Sequence, residues 1–549
     1  MPRFIIPTLP YKVMRTFPLI PLSILILFSI LACSFPFTVI TQNEQSAQAT
    51  LYAQLFDATP KPFSTQQASK TEFPSGLQPE QAATETLIVN APGIDAFRGL
   101  NIIPPDEMIA SPFFDTAPFE SYNYLSQAGD TLPAILGRFN ISMDAISLIN
   151  PLPVNGYIPL GEEITIPNQF KETSLPYAVL PDSEIIYSPS AANFDTAGYI
   201  LQAGGYLSRH TEKVDGIEMS GTEIITRLAR ENSINPRLLL AYLEFHTNWV
   251  FDSPANPQLQ YPIGFMAPSH QGLYGEISLV IRQLTLGYYG WRKGELNSLV
   301  FGDQSTLQVY PGLNPGSVAI LNLFSSIYNR RVFSEKIYGE QGFISLYWNM
   351  FGDPWTQAAQ FEPIIPQDLA QPEMELPFVE GEPWVMTGGP HNAWGVGSPY
   401  GGLDFAPSAV EPGCGVSRYW VTSSASGVVT RSENGVLVID LDRDGYEQTG
   451  WNLVYLHIAQ KDRPPVGASV DVNQPLGHPS CEGGLSSGTH VHMSRKFNGE
   501  WLGSGNPVPF VISGWQASPG VRPYQGGLQK NDKVVSARSD GSSPALIIR

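Results

Sequence analysis

The chain has 549 residues, and its 31 Lys and Arg against 50 Asp and Glu give a formal net charge of −19. That length exceeds one ordinary core and implies several domains, and the acidic balance excludes the basic footprint that nucleic-acid binding needs. Charged residues make up only 15%, beside 50 glycines and 49 prolines, a composition of turns, linkers and β-structure with few long surface helices.

The N-terminus reads as an export signal. Arg3, Lys12 and Arg15 precede an apolar run from Phe17 to Ala32 that contains two prolines. Ile30-Leu31-Ala32-Cys33 resembles the bacterial lipobox, with Leu31 bulkier than that pattern usually has; the match implies cleavage and lipidation at Cys33. The alternative is an uncleaved signal anchor, since the run is just short of a comfortable span. Both readings place the rest of the chain outside the cytoplasm, in the cell envelope and tethered to a membrane. With Cys33 set aside, Cys414 and Cys481 remain in one domain. An extracytoplasmic compartment permits a disulfide between them; two separate buried thiols are the alternative.

Residues 34–120 are rich in Gln, Ala, Thr, Ser and Pro, as in Thr41 to Thr50 and Ser64 to Thr86, and are expected to form a disordered tether. A compact unit follows at 121–169. Tyr122 to Ser126 is a strand, and Leu132, Ile135, Leu136 and Phe139 recur at helical spacing after Gly129-Asp130-Thr131-Leu132. A second helical stretch is expected over Met143 to Ile149, stopping at Asn150-Pro151, and Ile164 to Pro167 closes the unit as a strand. This βααβ frame resembles the lysin motif (LysM), a glycan-binding module. The resemblance implies sugar contacts at Gly129, Asp130, Thr131 and Leu132 and around Asn150; Asp130 and Thr131 also suit a helix cap.

Residues 175–370 read as mainly helical. Ser220-Gly221-Thr222-Glu223 is a capping box, Asn235-Pro236 starts another helix, and further helices are expected over Gly275 to Gly287 and Ser317 to Tyr328. Pro236 to Ala241 resembles the helix that leads to the catalytic glutamate of lytic transglycosylases. Where that family has a Glu-Ser pair, this chain has His246-Thr247, and Glu244 lies two residues early. The region is therefore expected to be a lysozyme-like scaffold without that chemistry or an unrelated helical domain, with Glu244 a surface or groove residue. Residues 371–382 are Pro- and Glu-rich and read as a linker. From 383 to 515, Gly-rich turns separate short apolar strands at Val428-Val429, Val436 to Ile439 and Asn452 to Leu456, the spacing of an antiparallel β-domain. Residues 516–549 read as a flexible tail. The fold class is thus multidomain α+β: a βααβ module, a helical middle and a C-terminal antiparallel sheet.

Four of the eight histidines fall in the C-terminal domain in one constellation with Asp404: His391, His457, His490 and His492. In a strand His490 and His492 share a face, and imidazole with carboxylate is the usual donor set of an open zinc site. The order Gly388-Gly389-Pro390-His391, Pro399 to Phe405, Val454 to His457, and Gly488 to His492 resembles the lysostaphin-type zinc metallopeptidases. In the commoner branch a first histidine stands four residues before the aspartate, where this chain has Tyr400; the spacing of His391 and Asp404 resembles the beta-lytic subgroup. The resemblance implies that His391, Asp404 and His492 bind Zn2+, and that His457 and His490 are catalytic groups flanking a zinc-activated water, their roles interchangeable at this stage. His478, His210 and His246 are read as structural. Asp440-Leu441-Asp442-Arg443-Asp444-Gly445 matches the start of a calcium loop, but the twelfth position is Trp451, where Glu is required. It is expected to be a hairpin turn, with weak calcium binding left open.

These features together imply an envelope-anchored peptidoglycan endopeptidase that cleaves peptide cross-bridges and is held on glycan by its LysM-like unit. The alternatives are a latent or inactive wall-binding scaffold or regulator, and a glycan-cleaving enzyme centred on the helical domain.

Overall fold

The structure is a computed structural model that describes residues 94–108, 114–115, 121–148, 151–408 and 413–549. Cys33, the apolar run before it and Asn150 lie outside the described residues. Among the described residues, no helix is long and apolar enough to cross a membrane.

The small unit consists of β1 (Ser121–Leu125), α1 (Leu132–Phe139), β2 (Ser147–Leu148) and β3 (Glu163–Pro167), with β3 central in the sheet. Thr131 caps α1 by accepting from the Ala134 N–H at 3.3 Å. The expected second helix is instead a single 3-10 turn at Met143–Ala145, after which β2 pairs with β3. So short a segment cannot offset the cost of helix nucleation, whereas the open edge of β3 offers ready hydrogen bonds. The tether also ends earlier than expected. Ile94–Phe97 forms a 3-10 helix, and Phe97 packs edge-on against Trp355 with ring centroids 5.3 Å apart.

The helical layer contains α2 (Thr196–Ala203), α3 (Gly221–Asn232), α4 (Pro236–Thr247), α5 (Gly272–Lys293), α6 (Pro315–Ser325), α7 (Arg330–Tyr338), α8 (Phe343–Phe351) and α9 (Pro354–Ala358). The capping box at Ser220 and Glu223 and the Asn235 cap before Pro236 start α3 and α4. Glu244 is buried, not a surface or groove residue. Its carboxylate accepts from the N–H groups of Val250 and Phe251, closing the turn after α4.

The part from Pro383 onward is built on a nine-stranded antiparallel sheet. Its strands are β4 (Pro383–Asn392), β5 (Tyr400–Pro407), β6 (Gly427–Glu433), β7 (Val436–Asp440), β8 (Trp451–Leu456), β9 (Ser469–Val470), β10 (Val491–Phe497) and β11 (Glu500–Trp501). A four-stranded sheet of β12 (Val511–Ile512), β13 (Trp515–Pro519), β14 (Gly526–Lys530) and β15 (Lys533–Ser536) follows. Finally β16 (Leu546–Ile548) returns to pair with β4 at the edge of the large sheet. The order across that sheet is β9-β6-β7-β8-β10-β5-β4-β16, with β11 paired to β10.

Period-two alternation assigns the two faces. Leu437, Ile439, Leu453, Tyr455, Val491 and Met493 point to a core shared with Trp515, Ala517, Leu528 and Val535. Val436, Val438 and Val454 point the other way, into the core of the helical layer. Two expected loose segments belong to the first of these cores. Met374, Leu376 and Phe378 of the supposed linker alternate into it, Phe378 stacking on Trp384 at 4.9 Å. The supposed tail after 516 does the same through Ala517, Leu528, Val535 and Ile547. Both segments are polar on average, yet each places several apolar residues inward.

One arginine joins the three parts. Arg292, at the end of α5, donates to the Ala128 carbonyl of the small unit at 2.7 Å, to Asp182 at 3.0 Å and to Glu500 of β11 at 3.1 Å. The small unit also presses backbone on backbone, since a Cβ at Gly137 would lie 2.2 Å from the Gly294 carbonyl oxygen.

Deleting residues 516–549 removes several fully buried apolar side chains, each worth about 1.5–3 kcal/mol. The truncated protein is expected to unfold at a clearly lower temperature or to be insoluble. An unchanged melting curve would restore the flexible-tail reading.

Candidate metal centre

The centre is built by strand register. Asp404 lies opposite His492 in the β5–β10 pair, and Leu456 lies opposite His492 in the β8–β10 pair, so His457 follows directly at the strand end. His391 is supplied by β4, paired to Gly402 of β5. Two glycines make room: a Cβ at Gly388 would lie 2.4 Å from Asp404 Oδ2, and one at Gly402 would lie 2.3 Å from His492 Cε1. His457 adopts a left-handed backbone, φ 66°, uncommon for a residue with a Cβ, and its carbonyl is held by the Ser480 N–H at 2.7 Å.

Asp404, His391 and His492 are all buried, and one donor atom of each lies within 4.8 Å of the others. His391 Nε2 is 3.0 Å from His492 Nδ1, His492 Nδ1 is 3.1 Å from Asp404 Oδ1, and His391 Nε2 is 3.4 Å from Asp404 Oδ1. The remaining ring nitrogens are committed to backbone carbonyls. His391 Nδ1 meets Gly389 O at 2.8 Å and His492 Nε2 meets Ala393 O at 3.0 Å. Both N–H groups therefore donate outward, leaving the inward nitrogens as bare lone pairs. His457 and His490 follow the same rule, through Nδ1 to Glu482 O at 2.9 Å and to Gly488 O at 2.8 Å. Their rings lie 4.5 Å apart, and His490 Nε2 is 3.8 Å from Asp404 Oδ1.

Burial pushes His391 and His457 down to about 4, keeping both imidazoles neutral at neutral pH. Burial works against the Asp404 carboxylate, but with a proton on a facing imidazole of His391 or His492 the charge and hydrogen bond it offers hold that group well below the usual carboxylate range.

Tyr524 was not foreseen. It reaches the centre from the turn between β13 and β14, and its ring stacks on His391 at 4.0 Å. The only advance signal was the alternation of Trp515 and Ala517, which marks a hairpin around it. Cys414 and Cys481 are joined by a disulfide. Gly413 O and Gly415 O both accept from Thr489, so this loop braces the residue before His490. His478 lies away from the centre and pairs with Asp462 at 3.2 Å.

The expected sugar contacts are engaged internally. Asp130 is buried and accepts from the Tyr124 hydroxyl, the Gln127 N–H and Arg138 at 2.5, 2.8 and 2.6 Å. Leu132 belongs to the unit's core, Thr131 caps α1, and the Arg292 guanidinium covers Gly129, where an added Cβ would come within 2.5 Å of its Nη1. Gly129, Asp130 and Leu132 are thus buried or covered, while Thr131 is half-buried.

Residues 178–364 match the family described as LasA, N-terminal domain. The match covers most of the helical region. Protease LasA of Pseudomonas aeruginosa is 25% identical over 357 residues, covering 60% of this chain and 77% of that protein. The chain is thus similar to a LasA-type protease over more than half its length. The beta-lytic metalloendopeptidase of Achromobacter lyticus is 29% identical over 136 residues, 23% of this chain and 34% of that one. The solved structure of the M23 metalloprotease pseudoalterin matches at 25% identity over 33% of this chain and 99% of its own, with a TM-score of 0.27.

Between about pH 6.5 and 4 the unfolded chain protonates its histidines while buried His391 and His457 stay neutral. Stability of the metal-free protein therefore falls as pH drops through that window, and Asp404 adds a loss in the same direction below about 3.8. The urea midpoint is expected to be lower at pH 5 than at pH 7, with a smaller difference in His457→Gln. Equal midpoints at the two pH values would contradict the burial of these neutral rings.

Proposed function

We propose that the protein is a zinc-dependent endopeptidase acting on the peptide part of peptidoglycan outside the cytoplasm. The observation that carries this reading is the donor triangle of His391 Nε2, His492 Nδ1 and Asp404 Oδ1, with edges of 3.0 to 3.4 Å. Ligands at about 2.0–2.1 Å in a tetrahedron lie about 3.3–3.4 Å apart, so the three atoms need little adjustment to hold zinc. Two imidazoles and one carboxylate leave a fourth position for substrate or water. Bound zinc supplies Lewis acidity, activating a water and polarising a carbonyl.

The chain's own groups divide the remaining work. His457 and His490 present bare Nε2 atoms, because their Nδ1 hydrogens are held by carbonyls. One takes a proton from the attacking water, and the imidazolium so formed returns it to the leaving amine. Neither ring can donate from Nε2 before that transfer, so the resting donor is Tyr524. Burial and Asp404 push its phenol up to about 12, keeping the O–H protonated beside His391, where it can meet the developing oxyanion.

The disulfide supports an extracytoplasmic location, and the N-terminal pattern supports a membrane tether at Cys33. We further propose that the unit at 121–167 holds glycan, through a surface other than the Gly129–Leu132 turn. A latent form of the same enzyme is the second reading, favoured by one observation. The helical layer packs on the sheet face that carries His492, and Gly397, in the loop between His391 and Asp404, lies against Leu286 of α5.

Zinc-loaded protein is expected to release new amino groups from purified peptidoglycan, and His492→Ala to lower that rate at least about 100-fold. Anhydro-sugar ends without new amines would transfer the activity to the helical layer. Release that begins only after limited proteolysis would favour the latent form.

A further inference from the structure

Building on the endopeptidase reading above, we propose that Ser480 and the adjoining Cys414–Cys481 disulfide are the positioning device for His457 and His490. The proton-handling half of the site then has its own support, separate from that of the zinc donors.

Ser480 is buried and touches both histidines. Its N–H donates to the His457 carbonyl at 2.7 Å, and its hydroxyl donates to the same oxygen at 3.0 Å. A carbonyl oxygen has two lone pairs, so Ser480 occupies both. His457 needs that grip, because its left-handed backbone, φ 66°, is one that a residue with a Cβ rarely adopts. On its other side Ser480 forms an antiparallel bridge with His490, whose N–H donates to the Ser480 carbonyl at 3.4 Å. One serine therefore sets the backbone under both rings, which lie 4.5 Å apart.

Cys481 follows directly and is joined to Cys414. Each side of that link reaches a histidine. On the Cys481 side, the Glu482 carbonyl meets His457 Nδ1 at 2.9 Å. On the Cys414 side, Gly413 O accepts from the Thr489 N–H at 3.1 Å. The Thr489 hydroxyl accepts from the Gly415 N–H at 3.1 Å and donates to Gly415 O at 2.7 Å, which fixes the residue before His490. Much of both loops is in solvent: Gly413 to Val416 and Gly483 to Leu485 are exposed. The cross-link supplies the constraint that core packing supplies elsewhere, by removing alternative arrangements of two exposed segments. The zinc donors are held otherwise. His391 and His492 take their places from the pairing of β4, β5 and β10, and their outer ring nitrogens meet Gly389 O and Ala393 O.

The test compares Ser480→Ala and Cys414→Ala/Cys481→Ala with the parent protein in three measurements. These are zinc affinity, the kinetics of amine release from soluble peptidoglycan fragments, and the imidazole NMR signals of zinc-loaded, histidine-labelled protein, assigned with His457→Gln and His490→Gln. Ser480→Ala is expected to lower kcat about 2- to 10-fold, as loss of one neutral hydrogen bond does. The double cysteine variant is expected to lower kcat about 10- to 100-fold, since a displacement near 1 Å can cost about 100-fold. KM and zinc affinity should hold in both, and only the His457 and His490 signals should move. A merely structural role would lower zinc affinity together with kcat and move all four rings, which would overturn the proposal. Unchanged kcat and ring signals in the double variant would overturn it too; should that variant not fold, Ser480→Ala carries the same test. A zinc-loaded parent that releases no amines would defeat the endopeptidase reading alone, and the ring signals would still decide whether Ser480 and the disulfide hold the pair.

Discussion

A buried carboxylate sets the terms for this fold. Asp404 sits deep in the sheet, where an unpaired negative charge is very costly, and three imidazoles approach the same oxygen at 3.1, 3.4 and 3.8 Å. Two come from the start of β10 and one from β4, so the register of β4, β5 and β10 assembles them. A one-residue slip of β10 would turn His492 to the opposite face and leave Asp404 unsatisfied. The glycines at 388 and 402 are the steric counterpart of the same constraint, since any side chain there would displace the carboxylate or the ring.

The two faces of the sheet bear on the centre differently. One is sealed by the C-terminal strands, which also deliver Tyr524 to His391. The other carries the donor atoms and, further along, Val436, Val438 and Val454 under the helical layer. Access to the metal centre and the packing of the LasA-like region are therefore properties of one surface. Arg292 extends the linkage to the small N-terminal unit, because its guanidinium is shared among Ala128, Asp182 and Glu500.

The parts legible in the sequence were those written in local pattern. His490-Val491-His492 has strand spacing, the glycine-flanked His391 and Asp404 come in a recognisable order, and the caps at Ser220 and Asn235 start helices by short-range hydrogen bonds. What escaped depends on distant partners. The turn at Gly129–Leu132 looks open in sequence because nothing local announces Arg292, 160 residues away. Residues 371–382 and 516–549 look loose because their proline and polar content hides the few apolar residues, Met374, Leu376 and Phe378 in one and Ala517, Leu528, Val535 and Ile547 in the other, which matter only once a sheet exists to pack on. The left-handed turn at His457, which aims that ring, has no compositional mark at all.

X-ray absorption at the zinc edge of the loaded protein tests the central claim most directly. The account predicts a four-coordinate shell of two imidazole nitrogens and two oxygens, one from Asp404, with His391→Ala removing one imidazole contribution. A shell containing sulfur, a six-oxygen shell, or a spectrum unchanged in His391→Ala would show that the donor triangle around Asp404 is not where the metal binds.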